Sequence, residues 1–202
     1  SLIPMTGFRL SPNPYLAANM PEAYMSMGHT AEHVAEEFNI PREDMDEFAI
    51  TSLTRAKSAI DAGALKEEIV PVTVKTRKGE FVVDDDEQPG NANIDKIPSL
   101  RPAFAKDGTV TAANSSSISD GAAALVLMRQ SEAEKRGLTP IAKIVGHATH
   151  AQEPAWFTTA PIGAVNTLFE KTGWDKADVD LFEINEAFAV VTMAAMKEMG
   201  LP

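Results

Sequence analysis

The chain has 202 residues, 44% of them hydrophobic and 23% charged, which is enough for one domain or two small ones and excludes wholesale disorder. Its formal net charge of −11 argues against a nucleic-acid-binding surface, since phosphate binding requires clustered Lys and Arg that outnumber the local acids. The sequence holds no cysteine, which excludes a disulfide scaffold, a Cys-based zinc site and a thiol nucleophile within it.

The sequence contains no segment that resembles a membrane span or a signal peptide. Its longest wholly apolar run, residues 122–128, is far shorter than the ~20 residues needed to cross a bilayer. We therefore expect a cytoplasmic protein. The sequence begins at Ser1 without an initiator Met and ends at Pro202 just after a helical pattern, so we expect it to be truncated at both ends.

Two helices are predicted after an irregular lead-in at residues 1–27. Thr30 is placed as the N-cap of a helix over 31–38, whose apolar residues recur at helical spacing. A second helix over 42–62 has Pro41 at its start, acidic residues in its first turn and Gly63 as its stop.

A hairpin and a long loop follow. Residues 69–74 and 81–83 alternate apolar and polar side chains around a turn at 77–80, which is typical of two antiparallel strands. Pro71 lacks an N–H group, so its strand should lie at a sheet edge or carry a bulge. Residues 84–99 are predicted to form a long loop of functional importance or high mobility.

Strands and helices alternate in the last third of the sequence. Apolar runs at 122–128, 141–145 and 179–184 predict strands. They are separated by a short helix with a capping box at Ser131, closed by Gly137, and by a helix ended by Gly173. This alternation favours a covered α/β sheet.

Three segments are candidates for a functional site, each with an ordinary structural alternative. Asn185 follows an apolar strand and is predicted to begin a helix at once, so it is either a rigid polar group at a ligand site or a plain helix N-cap. The small hydroxyl residues of 111–120 either admit a ligand close to the backbone or form a Ser-rich turn. Residues 100–104 either line a pocket mouth or anchor a loop. The four histidines predict no metal site, and no nucleotide-binding motif is present.

Six segments, taken in order, resemble the thiolase family nearly from end to end. They are residues 27–35, 46–49, 68–72, 100–104, 108–116 leading to 120–124, and 185–189. The resemblance implies a partial thiolase fold of class α/β, with a covered mixed sheet and helices, plus an α+β loop domain. Residues 1–117 would be the loop domain that covers CoA, 118–138 the end of the N-terminal half, and 139–202 the start of the C-terminal half.

The same resemblance implies an acyl-CoA acyltransferase that condenses acetyl-CoA units or thiolytically cleaves 3-oxoacyl-CoA. The family's nucleophilic Cys, its Gly-His-Pro histidine and its second Cys would lie outside this chain, so the chain alone is expected to be inactive. Asn185 would hold the water that stabilises the thioester oxyanion. Acyl-CoA would be a substrate, with no cofactor and no metal.

The implied contacts with CoA come from several separate parts of the sequence. They are Met27, Leu100, Phe104, Ala112, Ser116, Ala187 and Phe188, with Ser116 near the pantetheine amide. Ser26 stands where related enzymes have His, Pro89 where many have an Arg that meets the CoA nucleotide, and Ser117 where Gly is common. Few contacts with the nucleotide end are therefore expected.

Two alternatives to a catalytic fragment remain at this point. One is a non-catalytic thiolase-like subunit that binds acyl-CoA or transfers lipid, and the other is an unrelated acidic α/β interaction module. The presence of Asn185 favours a catalytic fragment, because a protein that only binds acyl-CoA does not need a residue to hold the oxyanion water. The expected partners are acyl-CoA, the remainder of the thiolase subunit, and further copies in a homodimer or homotetramer. Neither nucleic acid nor a membrane is expected as a partner.

Overall fold

The computed structural model describes residues 11–119 and 121–201, and within these ranges helices predominate. The α-helices are α1 (Pro14–Asn19), α2 (Met27–Glu37), α3 (Arg42–Asp61), α4 (Glu87–Asn91), α5 (Gln130–Lys135), α6 (Ala160–Thr172) and α7 (Ala189–Met199). The strands β1 (Val72–Thr76) and β2 (Gly79–Val83) form a hairpin, and 3₁₀ turns cover Pro21–Tyr24, Ile94–Ser99, Pro154–Thr159 and Lys176–Asp178. Across the described ranges, none of the helices has the length and apolar character needed to cross a membrane.

The lead-in is more ordered than predicted. Helix α1 begins at Pro14 because the Asn13 carboxamide accepts hydrogen bonds from the backbone N–H groups of Tyr15 at 2.9 Å and Leu16 at 3.3 Å. The 3₁₀ turn Pro21–Tyr24 follows directly, so the expectation of an irregular lead-in is wrong for this stretch. Residues 1–10 of the predicted lead-in lie outside the described residues.

Helix α3 confirms the prediction for 42–62, whereas α2 begins three residues before the predicted cap. Thr30 is buried inside α2, and its hydroxyl donates to the Met27 carbonyl at 2.8 Å instead of accepting from the next turn. Ser26 is the N-cap. The assignment of Thr30 as N-cap is therefore wrong, because the helical pattern extends over the small residues Gly28 and Thr30, which pack inward.

The core lies where α2, α3 and α7 meet. Its buried members are Ala31, Val34, Ala35, Ile40, Met45, Val110, Ala189, Val190 and Ala194, with Phe38, Phe48, Trp156, Phe188 and Met193 packed against them. Met45 and Val34 are almost fully buried, and truncating a side chain such as Met45 to Ala typically costs 2–5 kcal/mol. This core fixes the start of α7, four residues after the candidate residue Asn185.

The predicted hairpin is confirmed, although its first strand covers residues 72–76 instead of 69–74 and its second strand begins at 79 instead of 81. Val72 pairs with Val83 and Thr76 with Gly79 in antiparallel register, and Pro71 immediately precedes the first strand. The predicted loop at 84–99 is wrong in one respect, because it contains α4 and the 3₁₀ turn Ile94–Ser99. Asp86 caps α4 by accepting from the Gln88 N–H group at 3.0 Å.

The short helix α5 and the longer α6 occur where helices were predicted. Gly173 ends α6 with φ at 72°, a left-handed conformation that glycine adopts without steric cost. The capping box predicted at Ser131 is absent from α5. Arg129 is the N-cap, and Glu132 instead pairs with Arg136 one turn later at 2.6 Å.

The three predicted strands at 122–128, 141–145 and 179–184 carry no regular secondary structure. A strand requires a hydrogen-bonded neighbour, and within the described ranges the paired strands are β1 and β2 alone. Several of their apolar side chains point to solvent: Leu125 is 87% exposed, Ile141 fully exposed and Leu181 88% exposed. The apolar character of these segments fits a covered sheet, but the covering elements are not among the described residues.

We expect the 202-residue chain, expressed alone, to aggregate or oligomerise. Exposed apolar segments with unpaired backbone groups associate readily. Size-exclusion chromatography with light scattering measures this. The double variant Leu125→Lys, Ile141→Lys should raise the monomeric fraction. The control Thr51→Lys, Ser58→Lys adds the same charge at exposed positions of α3 and should leave association unchanged. A monodisperse monomer with one sharp cooperative melt would contradict the expectation.

Candidate functional site

Asn185 lies exposed in an extended segment before α7. Helix α7 begins at Ala189, and Phe188 is its N-cap, so the predictions that a helix starts at Asn185 and that Asn185 caps it are both wrong. The reason is a backbone bridge: Phe188 pairs antiparallel with Ser115 and is held extended at φ −142° and ψ 150°. Asn185 is therefore a polar side chain on a short segment, residues 185–188, that ends at this bridge. We call this segment the Asn185 strap.

The bridge joins two of the three candidate segments of the sequence. The Ala189 N–H group donates to the Asn114 carbonyl at 2.9 Å, and the Ser116 N–H group donates to the Ala187 carbonyl at 3.0 Å. Ser116 and Ala187, which were both expected to contact CoA, are thus brought together from positions far apart in the sequence. The part of the predicted segment at Asp120 lies outside the described residues.

Phe104 completes this meeting point. Its ring is 37% exposed and lies edge-on to the ring of Phe188, with the ring centroids 6.5 Å apart. The same ring packs over Gly28, where any side chain would collide with it, and lies 5.9 Å from the His29 ring. We refer to Phe104, Ser116, Ala187 and Phe188 as the Phe104 cluster.

The loop that carries Phe104 is held by Glu32 of α2. One carboxylate oxygen accepts from the N–H group and the hydroxyl of Thr109, both at 2.8 Å, and the other accepts from the Val110 N–H group at 3.0 Å. The Ala103 N–H group also donates to the Val110 carbonyl at 2.9 Å and closes the loop. Glu32 therefore couples the helix that contains Met27 to the loop that contains Phe104.

The remaining predicted contact residues lie on the segments that flank the cluster. Met27 is 42% exposed at the start of α2, beside Gly28. Leu100 is partly buried, and its carbonyl accepts from the Arg42 guanidinium at 3.0 Å. Ala112 is exposed next to the buried Thr111. The hydrogen bonds and ring contacts that form the Phe104 cluster do not involve Leu100 or Ala112.

A buried polar network next to the cluster is not predictable from local sequence patterns. Asn114 is 3% exposed and Asp46 is 5% exposed, and the Asn114 amide nitrogen lies 3.3 Å from a carboxylate oxygen of Asp46. The other oxygen of Asp46 accepts from Arg42 at 2.7 Å. Asn114 was part of the small-residue segment, but its partner lies 68 residues away and has no local signal.

The histidines take part in local contacts. The Ser26 hydroxyl lies 2.7 Å from His29 Nδ1, the His33 ring packs on Trp156 at 4.3 Å, and His150 Nε2 lies 3.2 Å from the Gln152 side chain.

The chemistry available at this place is that of an extended, partly apolar ligand. The rings of Phe104 and Phe188 and the methyl group of Ala187 supply apolar surface. The exposed Ser116 hydroxyl and the exposed Asn185 carboxamide supply hydrogen-bonding groups on either side of the bridge.

Comparison with known proteins identifies the fold and family. The chain matches the model of the thiolase N-terminal domain over residues 16–131 and that of the thiolase C-terminal domain over residues 138–202. It is 48% identical to the acetyl-CoA acetyltransferase of Paracoccus denitrificans over 175 residues, covering 86% of this chain and 45% of that protein. It is 42% identical to the 3-ketoacyl-CoA thiolase of Bacillus subtilis (strain 168) over 212 residues, covering 100% of this chain and 54% of that protein.

A solved structure gives the same result. The crystal structure of the Bacillus anthracis acetyl-CoA acetyltransferase matches with a TM-score of 0.85 and 43% identity, covering 88% of this chain and 45% of that chain. The chain thus spans about half the length of these relatives. The class α/β partial thiolase fold expected from the sequence is confirmed. On the family models, the identities and the shared fold together, this chain belongs to the thiolase family.

Proposed function

We propose that this chain supplies the CoA-binding and oxyanion-stabilising part of a thiolase that condenses acetyl-CoA units or cleaves 3-oxoacyl-CoA by thiolysis. The observation that carries the proposal is the contact of Phe104 with Phe188, whose bridge to Ser115 lies three residues from Asn185 along the strap. The relatives named acetyl-CoA acetyltransferase and 3-ketoacyl-CoA thiolase support it.

Pantetheine, the arm of CoA that bears the thiol, is a chain of methylene groups interrupted by amides. The Phe104 cluster offers apolar walls for the methylene groups, and the Ser116 hydroxyl lies exposed where an amide could accept or donate. Met27, Leu100 and Ala112 would extend the contact along the arm. A surface of mainly apolar walls with a few placed polar groups is typical of small-molecule sites.

Asn185 would serve the reacting end of the same ligand. Its carboxamide can donate and accept at once, so it can orient a water that donates to the thioester oxygen as negative charge develops there. The acyl-accepting thiolate and its activating His would come from the remainder of the thiolase subunit, since this chain holds no Cys. No cofactor is needed, because the thioester itself is the activated substrate.

The proposal includes the arrangement expected from the sequence. Residues 1–117 would form the loop domain over CoA, 118–138 the end of the N-terminal half, and 139–202 the start of the C-terminal half. The apolar segments exposed here would pair with the remainder of the subunit, and whole subunits would form a cytoplasmic homodimer or homotetramer. The exposure of Leu125, Ile141 and Leu181 supports such pairing.

Ser116→Trp, in a subunit of full family length that contains this sequence, is expected to raise KM for acyl-CoA several-fold. The indole would fill the space beside Ala187 that the pantetheine arm is proposed to occupy. Steady-state thiolysis of acetoacetyl-CoA measures the effect. Ser58→Trp, at an exposed position of α3, is the matched control and should leave KM unchanged.

The outcomes also separate the two candidate functions. Unchanged kinetics for Ser116→Trp would remove the CoA assignment of the Phe104 cluster. A full-length protein that binds CoA in calorimetry but shows no turnover would be the non-catalytic acyl-CoA-binding subunit. That outcome would contradict the proposal.

A further inference from the structure

The side chain of Asn114 is nearly saturated with hydrogen bonds in the interior. Its amide nitrogen donates to the Thr109 carbonyl at 3.0 Å and to Asp46 at 3.3 Å, and its amide oxygen accepts from the Thr111 N–H group at 2.7 Å. At 3% exposure, these bonds replace water around the side chain. The orientation of Asn114 is therefore determined by its surroundings.

Asp46 is held just as firmly. Its second carboxylate oxygen accepts from Arg42 Nε at 2.7 Å, and Arg42 Nη2 reaches the carbonyls of Ile97 at 3.2 Å and Leu100 at 3.0 Å. A buried carboxylate is tolerated only when it is paired and hydrogen-bonded, and both conditions are met here. Asp46 is thus a fixed acceptor for Asn114 on the rigid helix α3.

The backbone of Asn114 carries this restraint to the Asn185 strap. Its carbonyl accepts from the Ala189 N–H group at 2.9 Å. Two residues further along the chain, the Ser116 N–H group donates to the Ala187 carbonyl. Helix α3 also reaches the strap directly, since the Ser52 hydroxyl donates to a Glu186 carboxylate oxygen at 2.8 Å. Side chains of α3 therefore restrain the strap beside Asn185 and at its end.

We infer that Asn114, held by Asp46, is a positioning residue that sets the orientation of Ser116 and of the strap that carries Asn185. The side chain itself does not touch the substrate. It fixes the backbone from which both site residues project, so its loss should let the bridge between the two segments open more often. The kinetic consequence rests on the proposed function, whereas the structural consequence does not.

Hydrogen–deuterium exchange on a subunit of full family length that contains this sequence tests the structural part. In Asn114→Ala, the amides of Ser116 and Ala189 should exchange about tenfold faster or more, because the variant loses all three hydrogen bonds of the Asn114 side chain. The amides of the first half of α2 should keep their rates. Ile162→Val is the control, because it trims a buried residue of α6 and lowers Tm without removing any hydrogen bond of Asn114. It should not change the exchange of these two amides.

Steady-state kinetics on the same variants test the functional part. Asn114→Ala should lower kcat about tenfold and raise KM for acyl-CoA several-fold, while Ile162→Val leaves both unchanged. Should Asn114→Ala fail to fold, Asn114→Ser takes its place, because its hydroxyl can still accept from Thr111 but is too short to reach Asp46. Faster exchange at the two amides in that variant supports the inference.

The possible failures are distinguishable. Unchanged exchange of the Ser116 and Ala189 amides in a folded Asn114 variant overturns the inference, whatever the activity. Faster exchange with wild-type kcat and KM overturns its functional part. An inactive wild-type subunit overturns the proposed function, and faster exchange in Asn114→Ala would still support the positioning role of Asn114 in the fold.

Discussion

Asn185→Ala, in a subunit of full family length, is expected to lower kcat by ~10²–10³, which is the usual cost of removing one donor from an oxyanion site. The water that Asn185 is proposed to hold gains most of its interaction energy as charge builds on the thioester oxygen. An interaction that strengthens in the transition state changes kcat without greatly changing substrate binding. CoA affinity should therefore stay within a few-fold of the wild-type value.

The melting temperature of the same variant separates a catalytic from a structural role. Asn185 is exposed and lies before the N-cap of α7, so its truncation should shift Tm by no more than a few degrees. Asn166→Ala, at an exposed position of α6, is the matched control and should keep the wild-type kcat. Near-normal turnover of Asn185→Ala would end the catalytic assignment.

The second large effect concerns the 202-residue chain by itself, which we expect to show no thiolysis or condensation activity. Covalent acyl transfer of this kind needs a thiolate nucleophile, and the sequence contains no Cys. Loss of the nucleophile in a covalent enzyme typically costs on the order of 10⁶ in kcat. Asn185 and the proposed CoA contacts cannot compensate for that loss.

Cleavage of acetoacetyl-CoA by the purified chain, followed by absorbance against a protein-free blank, measures this expectation. A subunit of full family length assayed at the same molar concentration is the positive control. The chain's Asn185→Ala variant should give the same background rate as the chain itself. Turnover above the blank that disappears in Asn185→Ala would show that the chain carries its own catalytic machinery and would contradict the expectation.

Local patterns in the sequence were sufficient for the elements whose stability is local. Helix α3 and the β1–β2 hairpin occur as predicted, because apolar periodicity, an acidic first turn and a glycine turn are all encoded within a few residues. Gly173 ends α6 for the same reason. The cap of α2 was misplaced because Thr30 packs inward, which no local rule signals.

Long-range pairing accounts for most of what could not be predicted. The apolar runs at 122–128 and 179–184 indicate strands, but a strand forms only against a neighbour, and its neighbour is not encoded in its own residues. The late start of α7 depends on the bridge between Ser115 and Phe188. Glu32 and Asn114 were not identified as organising residues because their partners lie 77 and 68 residues away.

The candidate site residues came from resemblance more than from pattern. The structure brings Phe104, Ser116, Ala187 and Phe188 together, which spacing alone could not show. It also places Asn185 off the helix, where the N-cap alternative no longer applies. The assignments to CoA and to the oxyanion remain predictions for the experiments above.

The packing of α7 against α2 and α3 has a consequence for synthesis of the chain on the ribosome. The Lys197 ammonium donates to the Phe38 carbonyl at 2.5 Å, a contact between residues 159 positions apart. At translation rates of 5–20 residues per second, roughly 8 to 30 s pass between the emergence of the two partners. During that interval the apolar faces of α2 and α3 lack their third helix, so this is the period in which a nascent chain would benefit most from a chaperone.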